Sequence, residues 1–209
     1  MAKLYFRYGA MNSGKSTSLL QAAYNYEERG HQVLLAKPGV DTKAGRKIHS
    51  RLGVDRSVDY VIGADDDAYG LLQANRDRVQ SETGRDVSCL LVDEAQFLSA
   101  RQVNDLLRVA VLDGIPVICY GIRTDFRTAA FPGSQRLLEI AHSLEELKTI
   151  CRCGRKAVFN ARLADGKFVF DGDQVAIDEG ADGSAAPELT TYESLCGACY
   201  LEESGGRLG

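Results

Sequence analysis

Short apolar runs alternate along this chain with stretches whose apolar residues recur at helical spacing. Residues 3–8 alternate polar and apolar and predict a first strand. In 16–29, Leu19, Leu20, Ala23 and Tyr24 fall at helical spacing, and Gly30 stops the helix. The run 33–36 predicts a short buried strand ended by Lys37-Pro38-Gly39. Residues 40–52 are polar, include Gly45, and predict a loop with freedom to move. A second apolar strand, 87–92, runs into Asp93-Glu94-Ala95-Gln96-Phe97. Ser99 with Gln102 three residues on has the capping-box pattern. The helix it starts carries Val103, Leu106, Leu107, Ala110 and Val111 before Gly114. Residues 115–120 form another buried strand, and a helix around 134–141 follows. Strands apolar throughout, alternating with amphipathic helices, predict an α/β domain with a parallel sheet covered on both faces.

From about Thr149 the character changes to short segments, glycines and a cysteine pair at each end. The expected division is therefore 1–148, an α/β domain, and 149–209, a small lobe. The stretch 178–187 is small and polar, which predicts a flexible loop. Hydrophobic residues at 44% and charged residues at 26% exclude wholesale disorder. The net charge of −4 and pI near 5.5 offer no basic face for a duplex. No apolar run approaches the ~20 residues that span a bilayer. The first residues lack the apolar region and cleavage site of a secretory signal. A cytoplasmic protein with no nucleic-acid or membrane partner is expected.

Gly9-Ala10-Met11-Asn12-Ser13-Gly14-Lys15-Ser16 fits G-x-x-x-x-G-K-[ST], between a strand and a helix. Glycines at both ends let consecutive backbone N–H groups face a phosphate with no Cβ in the way. Lys15 would reach the β- and γ-phosphates, Ser16 would ligate Mg²⁺, and the helix N-terminus adds its positive end. The motif predicts binding of ATP. The strand that ends in Asp93-Glu94 supplies two carboxylates. Asp93 is the candidate Mg²⁺-side group, and Glu94 is the candidate general base, because a hydroxyl acceptor must be oriented and relieved of its proton. No Asn-Lys-x-Asp guanine reader occurs, and the size suits a compact nucleotide or nucleoside kinase.

Cys89 and Cys119 sit inside apolar runs and predict buried thiols. Cys151, Cys153, Cys196 and Cys199 form two knuckles that match the ligand set of a closed, structural Zn²⁺ site. The first pair is one residue shorter than the usual C-x-x-C, and a redox pair is the competing reading. A four-thiolate site would contribute folding free energy to a small lobe and no chemistry.

The ordered set 9–16, Asp93-Glu94-Ala95-Gln96-Phe97, Tyr120-Gly121-Ile122-Arg123-Thr124-Asp125-Phe126 and the two knuckles resembles the type II (cytosolic-type) thymidine kinases. Met11-Asn12-Ser13-Gly14-Lys15-Ser16-Thr17 and Tyr24-Asn25-Tyr26-Glu27-Glu28-Arg29-Gly30 are similar to the bacterial branch in particular. The resemblance implies transfer of the ATP γ-phosphoryl group to the 5′-hydroxyl of thymidine, and of deoxyuridine, with Mg²⁺. It implies a P-loop, RecA-like parallel sheet flanked by helices, with a small C-terminal zinc-ribbon or lasso lobe. It also implies a homotetramer and feedback inhibition by thymidine triphosphate. By position, Glu94 matches the family's base and Ala95 and Gln96 belong to its ATP side. Met11, Phe97, Phe126, Phe131, Arg162 and Tyr192 match residues around the nucleoside, and Arg51 matches a basic position near the site. Taken without the family, the three phenylalanines would be core. Two departures are visible: Asp41-Thr42-Lys43 where many members have Asp-Thr-Arg, and an insertion after Gly180 before Tyr192.

Two other readings compete. A zinc-ribbon P-loop ATPase acting on nucleic acid would need a basic lobe, and the acidic stretch between the knuckles opposes it. A nucleotide-gated regulator would bind or hydrolyse ATP and pass phosphate to no nucleoside.

Overall fold

The computed structural model describes residues 1–39, 45–174 and 190–209. Lys43 and the stretch 178–187 therefore lie outside the described residues, and so does most of the insertion before Tyr192. The chain divides into two compact units. The first comprises Met1–Gly9, Gly14–Arg123 and Phe131–Leu147; the second comprises Ala10–Ser13, Thr124–Ala130 and Lys148–Gly209.

In the first unit the elements run β1 (Leu4–Tyr8), α1 (Lys15–Glu28), β2 (Gln32–Pro38), β3 (Lys47–His49), β4 (Asp55–Ser57), β5 (Tyr60–Ile62) and α2 (Ala68–Thr83). They continue with β6 (Val87–Val92), a 3₁₀ turn (Ala95–Phe97), α3 (Ala100–Leu112), β7 (Val117–Gly121), α4 (Pro132–Ile140) and β8 (Ser143–Glu146). Six strands form one sheet in the order β5-β2-β6-β7-β1-β8, and every pairing in it is parallel. β7 lies between β1, which precedes the glycine-rich loop, and β6, which precedes Asp93.

Alternation along the strands sends successive side chains to opposite faces. Leu34, Ala36, Leu90, Val92, Val117 and Cys119 pack under α2, α3 and α4, while Val33, Leu35, Cys89, Leu91, Ile118 and Tyr120 pack under α1. Cys89 and Cys119 are fully buried free thiols. The capping box forms as expected: the Gln102 N–H donates to Ser99 Oγ at 3.2 Å, and the Ser99 N–H donates to Gln102 Oε1 at 3.0 Å.

The structure departs from the apolar pattern in places. Tyr24 and Val111 point outward, 58% and 42% exposed, because each sits at the margin of its helix's apolar face. The described part of 40–52 is not all loop, since β3 pairs antiparallel with β4 and buries Ile48. α2 has few apolar residues to announce it; Ala68, Leu72 and Val79 alone are buried, and Asp67 caps it by accepting from the Tyr69 N–H.

In the second unit, β9 (Thr149–Ile150) pairs with β10 (Lys156–Ala157). A three-stranded antiparallel sheet is built from β11 (Phe159–Ala164), β12 (Lys167–Val169) and β13 (Thr190–Leu195), in the order β12-β11-β13, and α5 (Gly197–Ser204) closes the unit. Its core is small: Cys151, Ala157, Ala161, Leu195, Cys196 and Tyr200, with Phe159 and Phe170 against the Tyr200 ring.

Leu106, fully buried between α3 and the sheet, is a direct measure of that core. Leu106→Ala should lower unfolding stability by about 2–5 kcal/mol, read as a shifted urea midpoint at unchanged slope.

Candidate functional site

β1 ends at Tyr8, and Gly9 N–H donates to Gly121 O at 3.3 Å, so the glycine-rich loop leaves the sheet beside the end of β7. Gly14 takes φ +78° as the N-cap of α1, a conformation that favours a residue without Cβ. Asn12 is also left-handed, at φ +65°, and the Ser13 N–H closes a turn on Ala10 O at 3.3 Å. Lys15 is buried and its ammonium donates to Gly9 O at 3.2 Å. Burial pushes its pKa down, Glu94 and Asp93 oppose this, and Arg51 adds to it. Three charged side chains of the first unit therefore act on Lys15.

Ser16 Oγ donates to Asp93 Oδ2 at 3.2 Å. Asp93 is 5% exposed, and burial together with the adjacent Glu94 pushes its pKa up to about 7. Among the described residues only four buried side-chain polar atoms lack a hydrogen-bond partner, and Asp93 Oδ1 and Ser13 Oγ are two of them. A buried carboxyl oxygen with no donor beside a serine hydroxyl fits a hard divalent cation, which accepts such oxygens and restores the ionised form. Glu94 follows in a left-handed conformation, φ +50°. A non-glycine residue there is strained, and such strain persists only where the surroundings impose it. Gln96 Nε2 donates to Glu94 Oε2, and Gln96 Oε1 accepts the Ile122 N–H at 3.3 Å.

Phe97 and Phe131 meet edge to face, with centroids 5.5 Å apart. The same turn makes a contact that apolar spacing does not reveal. A Cβ on Gly133, near the start of α4, would stand 2.4 Å from Ala95 O, 2.7 Å from Leu98 O and 2.9 Å from Gln96 O. The helix thus packs against the turn that carries Gln96.

In the second unit Phe126 is buried, with the Arg162 guanidinium 3.8 Å from its ring centroid. Arg162 also donates to Asp171 O at 2.5 Å and to Asp173 O at 3.2 Å, and it faces Tyr192 directly across β11–β13. Asp125 anchors this loop by accepting from the Arg127 and Ala129 N–H groups, each at 2.9 Å.

The Sγ atoms of Cys151, Cys153, Cys196 and Cys199 all lie within 4.8 Å of one another. A tetrahedral centre with ~2.3 Å metal–sulfur bonds needs sulfurs roughly 3.8 Å apart, so this cluster fits a tetrahedral metal. Cys196 is the N-cap of α5, and the Cys199 N–H, with the neighbouring thiols, holds its pKa down to about 6. The shorter knuckle is accommodated by a tight turn in which Gly154 N–H donates to Cys151 O at 2.8 Å.

A family model described as "Thymidine kinase" matches residues 2–200. This chain belongs to the thymidine kinase family. It is 51% identical to a thymidine kinase of Idiomarina loihiensis over 180 residues, covering 85% of this chain and 89% of the relative. To one of Legionella pneumophila strain Paris it is 50% identical over 179 residues, 85% of this chain and 83% of the relative. To one of Mesorhizobium japonicum it is 45% identical over 207 residues, 98% of this chain and 94% of the relative. As a thymidine kinase the chain is an ATP-dependent deoxynucleoside kinase acting on thymidine, and its cysteine cluster is compatible with a bound metal. No helix among the described residues is long and apolar enough to cross a membrane.

Gly133 gives this site a test whose sign is decided by two opposed effects. Alanine has the better helix propensity by about 1 kcal/mol, but three carbonyl oxygens inside 3.0 Å oppose its Cβ. Gly133→Ala should therefore lower the melting temperature and reduce kcat together, measured by thermal scanning and a thymidine phosphorylation assay.

Proposed function

We propose that this thymidine kinase transfers the γ-phosphoryl group of ATP to the 5′-hydroxyl of thymidine, and of deoxyuridine, with Glu94 as general base. The observation that carries the proposal is the pinned Glu94: a left-handed residue beside Asp93, with one carboxylate oxygen tied to Gln96 and the charge of Lys15 acting on it. A base held this way needs no reorganisation when a hydroxyl is brought to it. Backbone N–H groups of residues 9–16 would grip the triphosphate, with Asp93, Glu94, Ala95 and Gln96 on the same side. Lys15 would balance charge on the transferring group. Mg²⁺ would be held by Ser16 and Asp93, where it supplies charge neutralisation to the phosphates. Met11, Phe97, Phe126, Phe131, Arg162 and Tyr192 would each serve the nucleoside, and the lasso would exclude water from the reaction.

Residues 1–148 would make up the P-loop kinase domain and 149–209 a zinc-bound lasso lobe, with residues 10–13 and 124–130 grouped in one compact unit with the latter. Zn²⁺ on Cys151, Cys153, Cys196 and Cys199 is structural, since four thiolates leave no open position. The enzyme works in the cytoplasm as a homotetramer inhibited by thymidine triphosphate.

Glu94→Gln keeps the shape and removes the base. It should bind Mg-ATP with near-native affinity yet lose at least ~10²-fold in kcat, followed by product formation from a panel of nucleosides offered with Mg-ATP. Near-native turnover by that variant would remove Glu94 from the role. Cys196→Ser should leave the purified protein with less than one equivalent of zinc by elemental analysis and a lower melting temperature, because the second unit has little core of its own.

A further inference from the structure

Residues 10–13 belong to the second unit, and their backbone is held by side chains from its sheet. The Met11 N–H donates to Asn160 Oδ1 at 2.7 Å, and the Met11 carbonyl accepts from the Ser194 hydroxyl at 2.5 Å. Both backbone groups of one residue are therefore taken. Thr149 Oγ1 adds a longer contact to Asn12 O at 3.4 Å. Asn160 and Ser194 are directly opposite in the β11–β13 register and are 3% and 7% exposed. The Asn160 amide has one orientation that serves both neighbours. Its oxygen must face the Met11 N–H, which leaves Nδ2 to donate to Thr124 O at 3.3 Å. Ser194 stands two residues after Tyr192 and two before Cys196, so the strand that positions it leads directly into the cysteine cluster.

We propose that Asn160 and Ser194 are positioning residues for the phosphate loop, a two-sided clamp on the Met11 backbone that keeps residues 10–13 in the nucleotide-binding shape. The inference rests on the reading of residues 9–16 as the ATP loop. Two left-handed or near-turn positions, Asn12 and Gly14, make this segment costly to order. A loop that a ligand must order binds it more weakly than one already ordered. The clamp supplies that order in advance, from buried groups outside the glycine-rich motif.

The test uses Asn160→Ala, Ser194→Ala and the hydroxyl-retaining Ser194→Thr, with the exposed Lys167→Ala on β12 as a control. Affinity for a non-hydrolysable ATP analogue with Mg²⁺ is measured by calorimetry, alongside metal content, melting temperature and steady-state kinetics. Each alanine variant should bind the analogue roughly five- to tenfold more weakly and raise KM for ATP more than it lowers kcat. The double variant should lose less than the product of the two, because both act on the backbone of one residue. Ser194→Thr and Lys167→Ala should stay near wild type. Folded, metal-loaded alanine variants that bind the analogue like wild type would overturn the clamp. Hydrogen exchange at the Met11 amide of the ligand-free wild type decides the matter if the variants do not fold. Slow exchange supports the clamp, and exchange at the rate of an unstructured peptide overturns it. A wild type that protects this amide but ignores the analogue would instead sink the ATP-loop reading.

Discussion

Because β1, β7 and β6 run parallel, with Leu4 and Leu90 both registered against Val117, their carboxyl ends arrive together at one edge of the sheet. At that edge the chain must turn, and each turn here exposes polar backbone or carboxylates. Gly9 follows β1, Gly121 ends β7, and Asp93 follows β6. Parallel pairing requires a crossover after each strand, so the helix that follows the loop, α1, starts at the same edge and adds the positive end of its dipole there. An antiparallel sheet of the same strands would scatter these groups over both edges.

The chemistry at that edge is bought with locally unfavourable structure. Glu94 is a left-handed carboxylate residue, Asp93 Oδ1 is buried with no donor, and Lys15 is an ammonium inside a protein. Each would be a defect in an ordinary core, where buried polar atoms find partners. They lie in two short segments, 15–16 and 93–94, that follow the ends of β1 and β6. The apolar packing of both sheet faces holds them there, since a strand carrying Leu90, Leu91 and Val92 at 0% exposure leaves Asp93 no freedom to move away.

The second unit solves a different problem. Its apolar core is limited to a handful of residues around Tyr200, whose hydroxyl donates to Phe126 O at 2.7 Å. A lobe this small ordinarily needs a cross-link or a metal, and the four cysteines stand where one would act. Once its strands are fixed, the unit can hold short segments that come from far away in sequence: residues 10–13 by Asn160 and Ser194, and 124–130 by the Tyr200 hydroxyl and Asn160.

Much of this could be read from residue types alone. Unbroken apolar runs marked the central strands, the glycine-lysine-serine spacing marked the turn between β1 and α1, and paired cysteines marked the cluster, because each depends on neighbours within a few residues. The sequence was poor at elements stabilised from outside: α2, whose helix has only three buried side chains, and β3–β4, whose pairing buries Ile48 alone among polar residues. It was silent on Gly133, Asn160 and Ser194, whose parts depend on contacts 35 or more residues away in the chain. Local chemistry is written in the order of the residues. The left-handed turn at Glu94, the packing of Gly133 on the 95–98 carbonyls and the grip on Met11 were decided only when the folded chain brought distant backbone within hydrogen-bond or van der Waals reach.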